Sequence, residues 1–264
     1  MTLRPTVAAS ATRLSTRVFC HLAQGGIVRG PAFKSQPQQA AGASYFTSKG
    51  FSTPSNRSHP RESIRTMATG AAAGPAKRVL VPIGTGSEDM EAVIVIDVLR
   101  RAGAEVVVAS VEDSLEVKCS RGIKLVADVL MKNVASSETF DLIALPGGMP
   151  GAERLRDCAH LASLVAAQKG AGRLYAAICA TPAVFLEAQG LIPAGAKATA
   201  HPAFSDKLRE QGAVSQRVVV DGTLTTSRGP GTAFEFALSL VKQLYGEEKM
   251  AAVAGPMVMY PFSV

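Results

Sequence analysis

The chain has 264 residues, 47% hydrophobic and 19% charged, and a formal charge of +7, which leaves ample apolar material for a sizeable core. The excess charge is confined to the start: residues 1–66 carry nine basic side chains against the single acid Glu62, leaving 19 basic and 20 acidic residues in the rest. A nucleic-acid role argued from overall basicity therefore loses its footing in the globular part, and no apolar run reaches the roughly 18 residues of a membrane span.

Residues 1–66 are rich in Arg, Ser, Thr and Ala, and Leu14-Ser15-Thr16-Arg17-Val18-Phe19 gives them an arginine-bearing amphipathic segment. This is the composition of an organellar transit peptide, with a disordered basic tail as the plainer alternative. Arginines near the start favour a mitochondrion over a plastid, which the long Ser/Thr-rich tract also suits. Met67 offers a second start that would give a cytosolic form. Residues 67–76 read as a linker, and 77–264 as one domain.

Within that domain, Arg78–Ile83 is a β-rich run. Gly86-Ser87-Glu88-Asp89-Met90-Glu91 then opens a helix over 90–101, with Ser87 as its N-cap and three acids in its first turn. Glu105–Ser110 is a second apolar strand, and residues 117–126 alternate as an arm or hairpin. Residues 140–145 and 173–178 are two more apolar strands, each followed by Gly- or Pro-marked turns and helical segments. Residues 216–220 and 223–227 pair through an Asp221-Gly222 turn, and 231–245 read as a long amphipathic helix stopped at Gly246. Strands apolar on both faces, alternating with helices, imply a parallel sheet covered on both sides. The predicted fold is α/β and flavodoxin-like, with small antiparallel additions.

The chemistry centres on Leu174-Tyr175-Ala176-Ala177-Ile178-Cys179-Ala180-Thr181-Pro182, where a strand runs into a lone cysteine and then a helix start. A cysteine on such a turn is a candidate nucleophile, because the amides of the next helix favour thiolate; the alternative is a buried structural thiol. Glu91 is a candidate proton donor to that sulfur, or a dipole-compensating surface acid like Glu88 and Asp89. His201, just after a later strand, is a proton shuttle or a capping histidine. Gly147 and Gly148 end a strand and, with the Ala180 amide, suggest an oxyanion site or an ordinary turn. Four cysteines without paired spacing exclude a disulfide framework, and no metal cage or cofactor motif is visible.

Residues 86–101, Cys119-Ser120-Arg121, Leu145-Pro146-Gly147-Gly148, 176–180, His201-Pro202 and 226–232 together make the chain resemble the ThiJ/PfpI superfamily, most closely its DJ-one branch, the parkinsonism-associated deglycase and glyoxalase III group. The resemblance covers roughly residues 77–261. Thr181 stands where that family often has glycine, and Val126 where some animal members carry a cysteine. The resemblance implies a cofactor-free glyoxalase acting on methylglyoxal or glyoxal, with protein deglycase activity by the same chemistry. Cys179, Glu91 and His201 would be its catalytic residues. It also implies a homodimer in which the Arg121 arm reaches the neighbouring subunit's site, Arg228 and Pro230 line the pocket's dimer edge, and Cys119 is a secondary redox thiol. A redox-sensing holdase chaperone whose Cys179 becomes sulfinate is the alternative, and a cysteine peptidase a third reading.

Overall fold

The computed structural model describes residues 76–259; the leader, Met67 and Cys20 fall outside them. Strands β1 (Arg78–Ile83), β2 (Glu105–Ser110), β3 (Glu116–Lys118), β4 (Lys124–Val126), β5 (Val129–Leu130), β6 (Leu142–Leu145), β7 (Leu174–Ile178), β8 (Val218–Asp221) and β9 (Leu224–Ser227) alternate with helices α1 (Asp89–Arg101), α2 (Gly151–Asp157), α3 (Ala159–Gly170), α4 (Ala233–Tyr245) and α5 (Glu247–Ala254). Seven strands form one sheet in the order β5-β2-β1-β6-β7-β9-β8, parallel except for β8. β3 and β4 form a separate antiparallel pair.

The sheet is buried on both faces, which is why its strands read as continuous apolar runs rather than alternating ones. Successive side chains still point to opposite sides. Val79, Val81 and Ile83 join the core beneath α1 and α4 with Val95, Leu99, Phe236 and Leu240. Leu80 joins the other core with Phe140, Leu155, Val165 and Phe185. Burying each large side chain stabilises the fold by roughly 1.5–3 kcal/mol, and both layers are needed to cover the sheet.

Several local expectations are corrected. The edge strand β5 and the last helix α5 were not foreseen; β5 is two residues long and α5 has little apolar patterning. The β8–β9 hairpin turns at Gly222-Thr223, one residue later than expected, because Asp221 pairs with Leu224 inside the ladder. Its carboxylate also accepts the Lys197 amide at 2.7 Å. No strand lies between β7 and His201 among the described residues; the stretch from β7 to β8 holds only short helical turns and loop. No helix among the described residues is long and apolar enough to cross a membrane.

This topology places the site. β1 lies between β2 and β6, so the chain moves to one side of β1 and later returns to the other. In open α/β sheets the crevice at the carboxyl ends of such neighbouring strands is where ligands bind. The loops after β1, β6, β7 and β9 meet there.

Candidate active site

Cys179 follows the last residue of β7 and adopts φ 67°, a left-handed conformation that a non-glycine residue holds only when its surroundings enforce it. They do so on both sides: the Cys179 amide donates to Ser227 O at 3.0 Å, and its carbonyl accepts the His201 amide at 2.8 Å. The helix that follows, Pro182–Glu187, is a short π-helix. The elbow read from the sequence is therefore present, with the thiol 8% exposed at the floor of a cleft.

Glu91 is fully buried. One carboxyl oxygen accepts the Gly147 amide at 2.8 Å, while Oε1 is buried without a hydrogen-bond partner. Burial pushes this carboxyl up to about 7, against the pull of the Gly147 amide and of a hydrogen bond from Cys179. The Cys179 thiol is in turn pushed up to about 12 by burial and by the charge of Glu91, while the Gly148 and Ala180 amides pull it down. Carboxyl and thiol thus resist being charged together, and as pH rises through about 7 the pair takes on a single negative charge that the surrounding amides accommodate.

Gly147 and Gly148 are required at their positions. A Cβ on Gly147 would sit 2.4 Å from Cys179 Cβ and 2.8 Å from Glu91 Oε2. Gly148 has φ 90°, and a Cβ there would strike the Glu88 amide and Gly86 O at 2.4 Å. The β6 loop is therefore pressed between acid and thiol, which turns its amides toward both.

The acids of the first turn of α1 differ from expectation. Glu88, rather than Ser87, is the N-cap, accepting the Glu91 amide at 2.8 Å. Ser87 Oγ instead accepts the Gly84 amide and braces the preceding turn. Glu88 and Asp89 are buried, not surface acids. Asp89 accepts from Ser120 Oγ, the Arg121 amide and the Ile123 amide at 2.7–3.1 Å, and these bonds hold its carboxyl below the usual range against desolvation. It stitches the β3–β4 arm over the start of α1. No local signal shows which acids of a first turn face inward, since the partners of Asp89 and Glu91 lie 31 and more residues away.

The cleft, about 310 Å³, is lined by Glu88, Ser120, Arg121, Gly148, Met149, Cys179, Ala180, His201, Phe204 and Pro230. Gly148, Ala180, His201 and Pro230 thus meet around the thiol, with Glu91 and Gly147 beneath it, and Arg121 lines this same chain's cleft, whereas the expectation placed it in a neighbouring subunit's site. Arg228 lies instead in the adjoining groove with Arg217 and Gly231. Its guanidinium Nε is buried without a partner, and Nη1 donates to Ser215 O at 3.4 Å. Ser120, Met149 and Phe204 were missed, as nothing in their neighbours marks them. His201 Nδ1 accepts the Ala203 amide at 3.2 Å, the ring's one hydrogen bond among the described residues. A cysteine-peptidase arrangement, with imidazole bonded to sulfur, is not formed. Cys119 is 3% exposed, and burial plus the charges of Asp89 and Glu88 push its thiol up to about 11, which disfavours its expected oxidation. Cys158 is half-buried between α2 and α3.

Fold and site define a flavodoxin-like α/β protein built around an elbow cysteine and a buried carboxylic acid. A profile of the DJ-1/PfpI family matches residues 77–243. Protein DJ-1 homolog B of Arabidopsis thaliana is 51% identical over 186 residues, which make up 70% of this chain and 42% of that protein; the chain spans less than half the length of this plant relative. Glutathione-independent glyoxalase DJR-1.2 of Caenorhabditis elegans is 39% identical over 175 residues, 66% of this chain and 91% of its own. Oxidized Toxoplasma gondii DJ-1 superposes with a TM-score of 0.68 at 49% identity, over 70% of this chain and 100% of that one. The chain belongs to the DJ-1/PfpI family.

Proposed function

We propose that this protein is a cofactor-independent glyoxalase that converts methylglyoxal or glyoxal with water into lactate or glycolate. One observation carries the reading: a buried carboxyl raised to about 7 shares a site with an elbow thiol at the floor of a cleft. A group that titrates near the working pH is suited to moving protons. The nematode relative named as a glutathione-independent glyoxalase supports the same assignment.

Cys179 Sγ adds to the aldehyde carbon, and Glu91 relays the thiol proton to the oxygen of the resulting hemithioacetal. The Gly148 and Ala180 amides, which point at the sulfur, also receive the developing oxyanion. Glu91, again a carboxylate, takes the proton from the former aldehyde carbon to give an enediol and returns it to the adjacent carbon. The product is a thioester of the 2-hydroxy acid. Water hydrolyses it, releasing the acid and restoring the thiol, while His201 exchanges protons on the oxygens. A cleft of this size also admits an aldehyde still attached as an early glycation adduct, which extends the same steps to deglycase activity. Steady-state turnover of methylglyoxal by the purified protein, without glutathione, tests the assignment; no turnover would refute it.

A homodimer belongs to this proposal. Met90, Val93, Ile123 and Val126 are 43–72% exposed on α1 and the β3–β4 arm, beside Arg121, an apolar surface fit for a second copy. Light scattering at micromolar concentration is expected to give twice the chain mass. A fully active monomer would sink the idea that Arg121 acts across a shared interface.

Redox sensing is the second reading, favoured by the buried Glu91 carboxyl in contact with the thiol, a ready donor to a cysteine sulfinate once protonated. Two equivalents of peroxide take the thiol through sulfenic to sulfinic acid, each releasing water. Neither Cys179 nor Cys119 is helped by burial, but Cys179 alone has the Gly148 and Ala180 amides and the Glu91 proton to hold the oxidised sulfur. Peptide mapping across a peroxide titration is expected to find sulfinate at Cys179 before Cys119 or Cys158, with activity falling in parallel. Prior oxidation of Cys119 would count against the reading.

A further inference from the structure

We propose that Thr181 is a positioning residue whose hydroxyl fastens the loop after β6 to the cysteine elbow and so fixes the spacing of Glu91, Cys179 and the amides between them. The inference deepens the glyoxalase reading and rests on it for its kinetic outcome.

Thr181 is fully buried, and its Oγ1 donates to Pro146 O at 2.6 Å. The β6–β7 ladder ends at the Leu145–Ala177 pair. Beyond it, this hydrogen bond ties residues 146–148 to residues 179–181, beside the contact of the Gly148 amide with the Cys179 thiol. Its two ends are close to the reacting groups. Pro146 directly precedes Gly147, whose amide holds Glu91, and Gly148, whose amide faces the thiol. Thr181 directly follows Ala180, whose amide faces the same thiol.

The tolerance at this junction is small. Gly147 approaches Cys179 so closely that even a methyl group would collide, and Cys179 and Gly148 both hold left-handed backbone. The strained Cys179 lies against this loop, and the Thr181 hydroxyl fixes the separation of the two segments. A shift of about 1 Å at reacting groups can cost on the order of 10²-fold in rate.

Thr181→Val keeps the shape and removes the donor, while Thr181→Ser keeps the donor. In the purified protein, Thr181→Val is expected to lower kcat for methylglyoxal roughly 10- to 100-fold with KM changed by less than about twofold. It is also expected to slow iodoacetamide alkylation of Cys179 at neutral pH by about tenfold, since a displaced Gly148 amide no longer stabilises thiolate. Thr181→Ser is expected to restore both to within about threefold. A merely structural threonine would lower the melting temperature and leave both readouts of the folded protein unchanged, and that result would overturn the proposal. If the valine variant does not fold, Thr181→Ala is compared with Thr181→Ser by the same two readouts and the same criterion. If wild-type protein shows no methylglyoxal turnover, the glyoxalase reading fails, and the alkylation profile alone decides the role of Thr181.

Discussion

Replacing Cys179 with serine is expected to abolish methylglyoxal turnover, by roughly 10⁴-fold or more, the scale on which removing a nucleophile acts. The serine hydroxyl is too weak an acid for Glu91 to deprotonate usefully, and no other thiol of the described residues reaches the cleft. Cys119 is buried in the turn of the β3–β4 arm beside two acids, and Cys158 lies between α2 and α3. Cys119→Ser and Cys158→Ser are therefore expected to remain active. Near-normal rates in Cys179→Ser would discard the covalent mechanism altogether.

Glu91→Gln is expected to lower kcat by about 10²- to 10⁴-fold, the range for a general acid-base group, while leaving the fold intact. The wild-type pH profile should also reveal the residue. The reactive pair needs one proton fewer than the fully neutral state, so kcat/KM is expected to rise with pH through about 7. Glu91→Gln should lack that limb. Stability moves the other way. A carboxyl raised from 4.5 to about 7 by burial contributes its full stability below pH 4.5 and loses it as pH rises through 7. The loss is about 3 kcal/mol at saturation. Glu91→Gln escapes it, so melting measurements are expected to show the variant gaining on wild type between pH 5 and 8. Unchanged kcat together with a pH-independent stability difference would return Glu91 to a purely structural role.

The acid that favours catalysis is thus the one that burdens the fold above neutral pH. That trade is common where a charged group is held away from water for chemistry.

Much of this was legible in the sequence because it depends on local pattern. Residues 78–83, 105–110 and 174–178 are apolar at consecutive positions, and only a strand covered on both faces accommodates that. The elbow was legible for the same reason: small residues flank Cys179 between a strand and Pro182. What only the tertiary structure decided depends on groups brought together from distant parts of the chain. Glu88, Asp89 and Glu91 look alike in sequence, yet one caps α1, one holds the β3–β4 arm some thirty residues away, and one turns toward Gly147, 56 residues on. His201 reaches the cleft without a strand to carry it, because its amide bonds to Cys179 O and the nearby Thr199 amide to Thr226 Oγ1. Arg228 lies in the neighbouring groove, where its guanidinium donates to Ser215 O in the loop before β8. Local sequence determines which residues form strands and turns; which acid is denied water, and therefore which one titrates near 7, is set by the elements that close over it.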